Sequence, residues 1–205
     1  KKMSDKRVPK LPAQFPQLGN RVTRSIGHFF LSLMGWRITG SFPETNKVVL
    51  AVAPHTSNWD FFVGLAAMFA LGLKAHWLGK HTIFIWPIKR LLTAVGGVPV
   101  NRGAAKDVVS QVAERFEQSE ALILALAPEG TRKQTPKLKT GFIRMAIAAK
   151  VPVFLIGFDF PTKEIVLGEL YHPTGDVDVD EKAVRSYFYQ FKGRNPDQYC
   201  PKDAE

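Results

Sequence analysis

Short runs of apolar residues alternate along this chain with longer stretches of helical periodicity. The runs Lys47–Ala53, Ala121–Ala127 and Val151–Phe158 are almost wholly apolar, as strands covered on both faces should be. Between them, Ala104–Gln118 and Lys139–Ala149 repeat apolar residues at the spacing of a helix that buries one face. Strands that alternate with helices predict an α/β fold: a single domain with a largely parallel central sheet flanked by helices.

Length and composition allow one sizeable core. The chain has 205 residues, of which 45% are hydrophobic, and this fits a single domain. Its one cysteine, Cys200, excludes an internal disulfide. The pattern also predicts helices at Asn58–Leu71, 85–95 and Ala183–Phe191, and strands at Lys74–Leu78, Gly97–Asn101 and Ile165–Leu170.

Positive charge is concentrated at the beginning of the chain. Lys and Arg number 28 against 18 Asp and Glu, a formal net charge of +10, which predicts an anionic partner. Eight of the basic residues and a single acid, Asp5, fall within residues 1–40. Such a local excess is typical of attraction to an anionic membrane surface, and no nucleic-acid partner is expected. We predict a basic extended arm over residues 1–20, although a solvated tail would have the same composition.

Residues 21–36 have the pattern of an amphipathic helix, and we assign 21–40 to such an interfacial helix and 41–205 to the main domain. One side carries Val22, Ile26, Phe29, Phe30, Leu33 and Met34, and the other carries Arg21, Arg24 and Ser25. A helix of this kind suits a membrane surface, and the alternative is a helix packed on the domain's own core. No apolar run reaches the roughly 18 residues that a transmembrane helix needs.

Polar, titratable residues occupy the junction between the Lys47–Ala53 strand and the following helix. His55 and Asp60 lie there, five positions apart, where a base and its orienting carboxylate could meet. Helix capping is the alternative. Ser57 could also be a nucleophile, but no nucleophile elbow surrounds it, so we expect it to cap the following helix. Cys200 lies far from these residues along the sequence, in a polar stretch, so we do not expect it to act as a nucleophile. A base without a protein nucleophile indicates group transfer to a bound alcohol.

Two further segments turn polar at the end of a predicted strand, where sites gather in open parallel sheets. Arg102 and Arg132 can bind a phosphate through two parallel hydrogen bonds, and surface ion pairs are the alternative. Gly130 beside Thr131 allows backbone N–H groups to approach an anion closely. Glu129 either pairs with Arg132 or orients an acceptor hydroxyl.

Taken in order, these segments resemble the four sequence blocks of the glycerophospholipid acyltransferase family, which includes lysophosphatidate acyltransferase. Order and spacing agree over residues 47–158. The matches are His55 to Asp60 for N-H-x-x-x-x-D, with Pro54 replacing Asn; Gly96–Arg102 for the Gly-rich block ending in Arg; Ala127–Arg132 for F-P-E-G-T-R, with Ala127 replacing Phe; and Val151–Val153 for the V-P-V strand.

The resemblance implies an acyltransferase domain in which His55, oriented by Asp60, deprotonates an acceptor hydroxyl. The hydroxyl oxygen then attacks acyl-CoA or acyl-carrier protein without a covalent acyl-enzyme, and no cofactor or metal is implied beyond that thioester co-substrate. The family is usually membrane-bound, which implies a peripheral protein at the cytoplasmic face of a membrane. The residues implied to bind a lysolipid head group are Arg102, Glu129, Gly130, Thr131 and Arg132, with Lys80 and Lys139 as further candidates.

Three alternatives remain at this stage. Since Pro54 and Ala127 depart from the family pattern, the acceptor could be another lysolipid, such as lyso-ornithine lipid. A non-enzymatic protein that binds anionic membranes or nucleic acid would use the basic arm and would not need His55. A hydrolase or metal site would need ligands besides His55 and Asp60, and neither His76 nor His81 has a ligand spacing to His55.

Overall fold

The computed structural model describes residues 8–100, 105–131 and 134–200, without the side chains of 105–107. Within these ranges the chain forms seven strands and six α-helices. The strands are β1 (Arg37–Gly40), β2 (Lys47–Ala53), β3 (His76–Lys80), β4 (Gly97–Val100), β5 (Leu122–Leu126), β6 (Val153–Asp159) and β7 (Glu164–Tyr171). The helices are α1 (Arg21–Met34), α2 (Trp59–Leu71), α3 (Ile88–Ala94), α4 (Ala105–Gln118), α5 (Gly141–Ala149) and α6 (Val177–Phe188).

The strands form one sheet in the order β1-β7-β6-β2-β5-β3-β4. All neighbouring strands run parallel except β6 and β7, which are antiparallel. The strand β2 lies near the centre, where Ala51 pairs with Leu126 of β5 and with Leu155 of β6. The predicted α/β domain with a largely parallel sheet is therefore confirmed.

Each face of the sheet packs against its own layer of helices. In β2, Val48 and Leu50 point into the layer that contains α1 and α2, while Val49 and Ala51 point into the layer that contains α4, α5 and α6. All four side chains are buried. Because side chains alternate across a strand, a strand buried on both faces must be apolar throughout, and this explains the uninterrupted run.

The boundaries of several elements differ from the sequence-based prediction. The predicted 85–95 helix is shorter, because Pro87 precedes α3, which starts at Ile88. A separate 3₁₀ turn, which was not predicted, forms at His81–Ile83. The last helix starts at Val177, six residues earlier than predicted, and the Asp176 carboxylate caps it by accepting from the N–H groups of Asp178 and Val179.

The segment assigned to an interfacial helix contains two elements. Its helical part, α1, begins at an Asn20–Thr23 capping box and ends at Gly35, whose φ of 75° is left-handed. Residues Arg37–Gly40 form the edge strand β1 instead of continuing the helix, which corrects the predicted boundary. None of the described helices is long and apolar enough to cross a bilayer.

The helix α1 lies against α2 and leaves its most apolar face uncovered. Contact is close at Gly27, where an added Cβ would lie 2.8 Å from the Ala66 carbonyl oxygen and would overlap the Phe69–Ala70 backbone. Leu31 is buried beside it. The apolar side chains predicted from the helical spacing are exposed, namely Val22, Ile26, Phe29, Phe30 and Leu33. The helix therefore packs on the domain's own core through Gly27 and Leu31, as the alternative held, while these five side chains remain exposed. Met34, also on the predicted apolar side, is half-buried against the core.

The described part of the predicted arm, residues 8–20, packs on the domain. Phe15 is buried, and its ring contacts Phe42. The Leu18 N–H donates to the Gly72 carbonyl, and the Lys74 N–H donates to the Pro16 carbonyl, each over 2.8 Å. Residues 1–7 lie outside the described part of the chain.

Candidate active site

The carboxyl ends of β2 and β5 bring two polar segments together. These strands are parallel neighbours, and Ala51 pairs with Leu126. The chain therefore leaves both strands at the same edge of the sheet, and His55 and Glu129 follow within a few residues. Parallel pairing alone explains why segments 74 positions apart can share one site.

His55 faces Asp60 as the sequence predicts. The distance from His55 Nδ1 to Asp60 Oδ2 is 3.7 Å, which allows a charge interaction but exceeds hydrogen-bond length. About a fifth of the His55 side chain is exposed, at 21%, whereas the Asp60 side chain is fully buried. The carboxylate is therefore protected from water, while the imidazole remains accessible from the site.

Asp60 is fixed by the loop that carries the histidine. Its Oδ2 accepts from the Ser57 N–H over 2.6 Å, and its Oδ1 accepts from the Ser57 hydroxyl over 3.0 Å. Ser57 is thus a partner of Asp60 and not the helix cap, which corrects the prediction. The N-cap position belongs to Asn58, whose side chain makes no capping hydrogen bond.

Glu129 supports the backbone of the histidine. Its Oε1 accepts from the His55 N–H over 2.7 Å, and the residue is only 2% exposed. Burial raises the pKa of the Glu129 carboxyl to about 7, and the negative charge of Asp60 acts in the same direction. The Glu129 side chain is thus enclosed and bonded to the histidine loop, and its contact with a substrate head group stays a prediction.

The rest of the third block forms a tight turn. Gly130 has a left-handed φ of 63°, and its N–H donates to the Ala127 carbonyl over 3.0 Å. The stem of Lys139 lies against Gly130, and the Lys139 N–H donates to the Pro128 carbonyl over 2.8 Å. Exposed Lys139 and half-buried Thr131 therefore lie beside the turn, and their contact with a head group stays a prediction.

Of the other predicted head-group residues, Lys80 lies within the described part of the chain. Lys80 is exposed at the carboxyl end of β3, on the same edge of the sheet but separated from β2 by β5. Arg102 and Arg132 lie outside the described residues. The structure therefore brings His55, Asp60, Glu129 and Gly130 together.

A C-terminal segment, residues 191–199, lies against the histidine loop, and we call it the C-terminal strap. The Asn195 N–H donates to Thr56 Oγ1 over 3.1 Å, and the Asn195 side-chain amide donates to the Thr56 carbonyl over 3.0 Å. The Arg194 guanidinium lies 5.2 Å from the centre of the Trp59 ring. These contacts could not be predicted from the sequence, because nothing in this Pro- and Asn-containing stretch indicates a partner at position 56.

Pro54, which stands where the family has Asn, is buried between β2 and the strap. An added Cβ at Gly193 would lie 3.2 Å from Pro54 Cβ and 2.5 Å from Thr56 Oγ1. The strap therefore approaches the loop at a position where only glycine fits, and Pro54 forms part of the contact surface.

Cys200 adjoins the strap and is buried. Its Sγ lies 3.5 Å from Thr135 Oγ1, and burial raises the pKa of the thiol, which disfavours the reactive thiolate. Among the residues that the structure describes, no group of three or more His, Cys, Asp or Glu side chains could hold a metal ion.

Comparisons with known proteins identify the fold and the family of the chain. The crystal structure of the 1-acyl-sn-glycerophosphate (LPA) acyltransferase PlsC from Thermotoga maritima has a similar fold, with a TM-score of 0.56 and 15% sequence identity. The likeness covers 83% of this chain and 78% of that chain. No curated protein matched the chain. The model of the family described as Acyltransferase matches residues 37–158, more than half of the sequence. On this match, and with the four blocks in their expected order, the chain belongs to the Acyltransferase family and is an acyltransferase.

Proposed function

We propose that this protein transfers a fatty acyl group from an acyl thioester, acyl-CoA or acyl-carrier protein, to a hydroxyl of a lysophospholipid such as 1-acylglycerol-3-phosphate. The observation that carries the proposal is the His55–Asp60 pair at the carboxyl end of β2, in a chain of the Acyltransferase family. The name of the similar PlsC structure supports a lysophosphatidate acceptor.

In the proposed reaction, His55 acts as the general base and Asp60 orients it. With Nδ1 turned toward Asp60, Nε2 takes the proton of the acceptor hydroxyl. The acceptor oxygen forms an ester bond to the thioester carbonyl carbon, the carbon–sulfur bond breaks, and the imidazolium returns the proton to the leaving thiolate. No acyl-enzyme forms, consistent with the buried Ser57 hydroxyl being bonded to Asp60.

A head-group phosphate would bind beside the turn at Gly130. The left-handed Gly130 keeps side-chain bulk away from the turn, and Thr131 and Lys139 lie next to it. We assign Arg102 and Arg132 to the same phosphate because of their places in the sequence blocks, and Lys80 to a weaker contact at the same edge. A guanidinium group can donate two parallel hydrogen bonds to two oxygens of one phosphate, which suits this role.

We further propose that the protein works peripherally on an anionic membrane, through α1. The support is the exposed apolar face of α1, in which Phe29, Leu33 and Val22 are each more than 60% exposed. Acyl-CoA and acyl-carrier protein are cytoplasmic donors, so the reaction belongs to the cytoplasmic face of that membrane.

The test is thiol release by the purified protein from acyl-CoA and acyl-carrier protein, against a panel of lysolipids that includes lyso-ornithine lipid. His55→Ala should lower kcat about a hundredfold to ten-thousandfold, the usual contribution of a general base. Asp60→Asn, which keeps an acceptor for Ser57, should lower kcat with little change in KM. His172→Ala, at an exposed histidine, is the matched control and should be fully active.

The outcomes separate the alternatives. Release with lysophosphatidate alone identifies the acceptor, and release only with lyso-ornithine lipid replaces it while keeping the reaction. No release with any acceptor, or a fully active His55→Ala variant, would contradict the proposed mechanism. Vesicle binding without any activity would favour the non-enzymatic reading.

A further inference from the structure

A second apolar surface lies on the segment between β3 and β4. It consists of the exposed side chains of Ile83, Ile85, Trp86, Ile88 and Leu91, and we call it the Trp86 corner. Trp86 is 84% exposed and Leu91 is 65% exposed. Single exposed apolar side chains are common, but five large ones within nine residues indicate an interaction site.

The Trp86 corner is held to the domain from below. Phe84, between its members, is buried and lies 5.8 Å from the Trp77 ring, and Trp77 in turn lies 5.3 Å from the Phe61 ring of α2. The Trp77 indole N–H donates to the Val95 carbonyl at the end of α3 over 2.9 Å. These contacts fix the position of the exposed side chains relative to α2.

The corner lies at the same edge of the sheet as the proposed site. It begins just past Lys80, the carboxyl end of β3, as His55 follows the carboxyl end of β2. Trp77 and Val95 pack in the same core layer as α1 and α2, so the corner and the exposed face of α1 lie on one side of the sheet. Between them, Trp59 and Phe62 at the start of α2 are also exposed.

Charge decides what the corner would bind. Lys80, Lys89 and Arg90 are exposed around it, and the sequence has no Asp or Glu between Asp60 and Asp107. Two copies of the corner would bring like charges together, whereas an anionic lipid surface would neutralise them. Tryptophan also favours the interface between hydrocarbon and head groups, where its apolar ring and its N–H are both accommodated.

We propose that the Trp86 corner is a second contact with an anionic bilayer, separate from the contact made by α1. This second contact turns the carboxyl edge of β2 and β5 toward the lipid. The inference rests on the proposed function only in that a lipid acceptor gives the orientation a use. Two contacts on one side of the sheet define how the domain stands on the surface, which a single helix does not.

The experiment measures binding to vesicles of phosphatidylcholine with and without phosphatidylglycerol by co-sedimentation. The variant Trp86→Ser/Leu91→Ser should bind anionic vesicles at least about tenfold more weakly than the wild type, because two large apolar side chains are no longer transferred from water into lipid. Lys89→Gln/Arg90→Gln should weaken binding to anionic vesicles alone and reduce its salt dependence. Val179→Ser, at a 55% exposed valine on α6, is the matched control and should bind like the wild type.

Activity distinguishes this inference from the proposed function. With a short-chain lysolipid and thioester in solution, Trp86→Ser/Leu91→Ser should retain wild-type turnover, while its turnover on vesicle-embedded acceptor falls in step with binding. Unchanged vesicle binding by this variant would overturn the inference. The inference would also be overturned if the wild type were a dimer and the variant a monomer that still bound vesicles, because the corner would then join two copies of the protein. Weakened vesicle binding together with a wild type inactive on every acceptor would refute the function and leave the membrane contact standing.

Discussion

The carboxylate of Glu129 accepts a hydrogen bond from the backbone N–H of His55 over 2.7 Å, across 74 positions of sequence. A side chain of the third sequence block, Glu129, therefore fixes the backbone of the first block at His55. The backbone direction at His55, and with it the position of the imidazole, depends on a buried side chain from a distant part of the sequence.

Removing the Glu129 acceptor should reduce turnover and stability together. In Glu129→Ala the part-buried His55 N–H loses this acceptor, at a cost of about 1–3 kcal/mol. Glu129→Gln keeps an amide oxygen at the same place and should be milder in both respects. Thiol release and thermal unfolding of the two variants measure this. Equal losses in both variants would show that the hydrogen bond is not what matters.

Glu129 should also make stability depend on pH. Its folded pKa of about 7 lies above its ordinary value of 4.5, so the folded state binds the proton more tightly than the unfolded chain does. The stability gained in this way is fully present below pH 4.5 and is lost as the pH rises through about 7.

The difference in unfolding free energy between wild type and Glu129→Gln should therefore fall by about 3 kcal/mol between pH 4.5 and pH 7.5. Chemical denaturation across that range measures it, and titrating groups that do not interact with Glu129 cancel between the two proteins. A difference that stays constant with pH would place the titration of Glu129 outside this window.

The C-terminal strap should position the histidine loop. Asn195→Ala removes the hydrogen bond to the Thr56 carbonyl, worth about 0.5–1.5 kcal/mol, and should lower kcat severalfold while KM stays close to that of the wild type. Gln190→Ala is the matched control, because Gln190 also donates its amide to a backbone carbonyl, that of Tyr187, away from the loop. Equal effects of the two substitutions on kcat would argue for a purely structural role.

The close approach of α1 to α2 should be sensitive to one methyl group. Gly27→Ala would overlap the α2 backbone and should destabilise the fold by about 1–3 kcal/mol. Gly64→Ala on α2 meets only Phe158, at 3.7 Å, and should be neutral or slightly stabilising. Melting temperatures of both variants test this. A neutral Gly27→Ala would mean that the helices can separate without cost.

The local pattern predicted the buried strands well, because each must supply apolar side chains to two helix layers, but it missed the edge strand β1. The uninterrupted apolar run from Val48 to Ala53 is typical of a strand buried on both faces. The start of α6 was missed because its first turns are acidic, and only the fold shows that Asp180 is buried, where its carboxylate accepts from the Tyr171 and Thr174 hydroxyls.

The site was predicted where its residues are near in sequence or match a block, as His55 and Asp60 do. It was not predicted where partners come from distant segments. The Asn195–Thr56 contact spans 139 positions, and its two residues have no pattern in common. Glu129 was expected to contact substrate, since its sequence block does not reveal that the chain folds the carboxyl inward.

The glycine contact between α1 and α2 has a mechanical consequence. The first turn of α2 holds Asp60, so the helix proposed to lie in lipid packs closely against the helix that carries the proposed orienting carboxylate. On the proposed mechanism, a displacement of α1 by the bilayer would be passed to Asp60 through this contact. On the proposed membrane, the depth at which a hydroxyl can be acylated would thus be fixed by the protein's own dimensions.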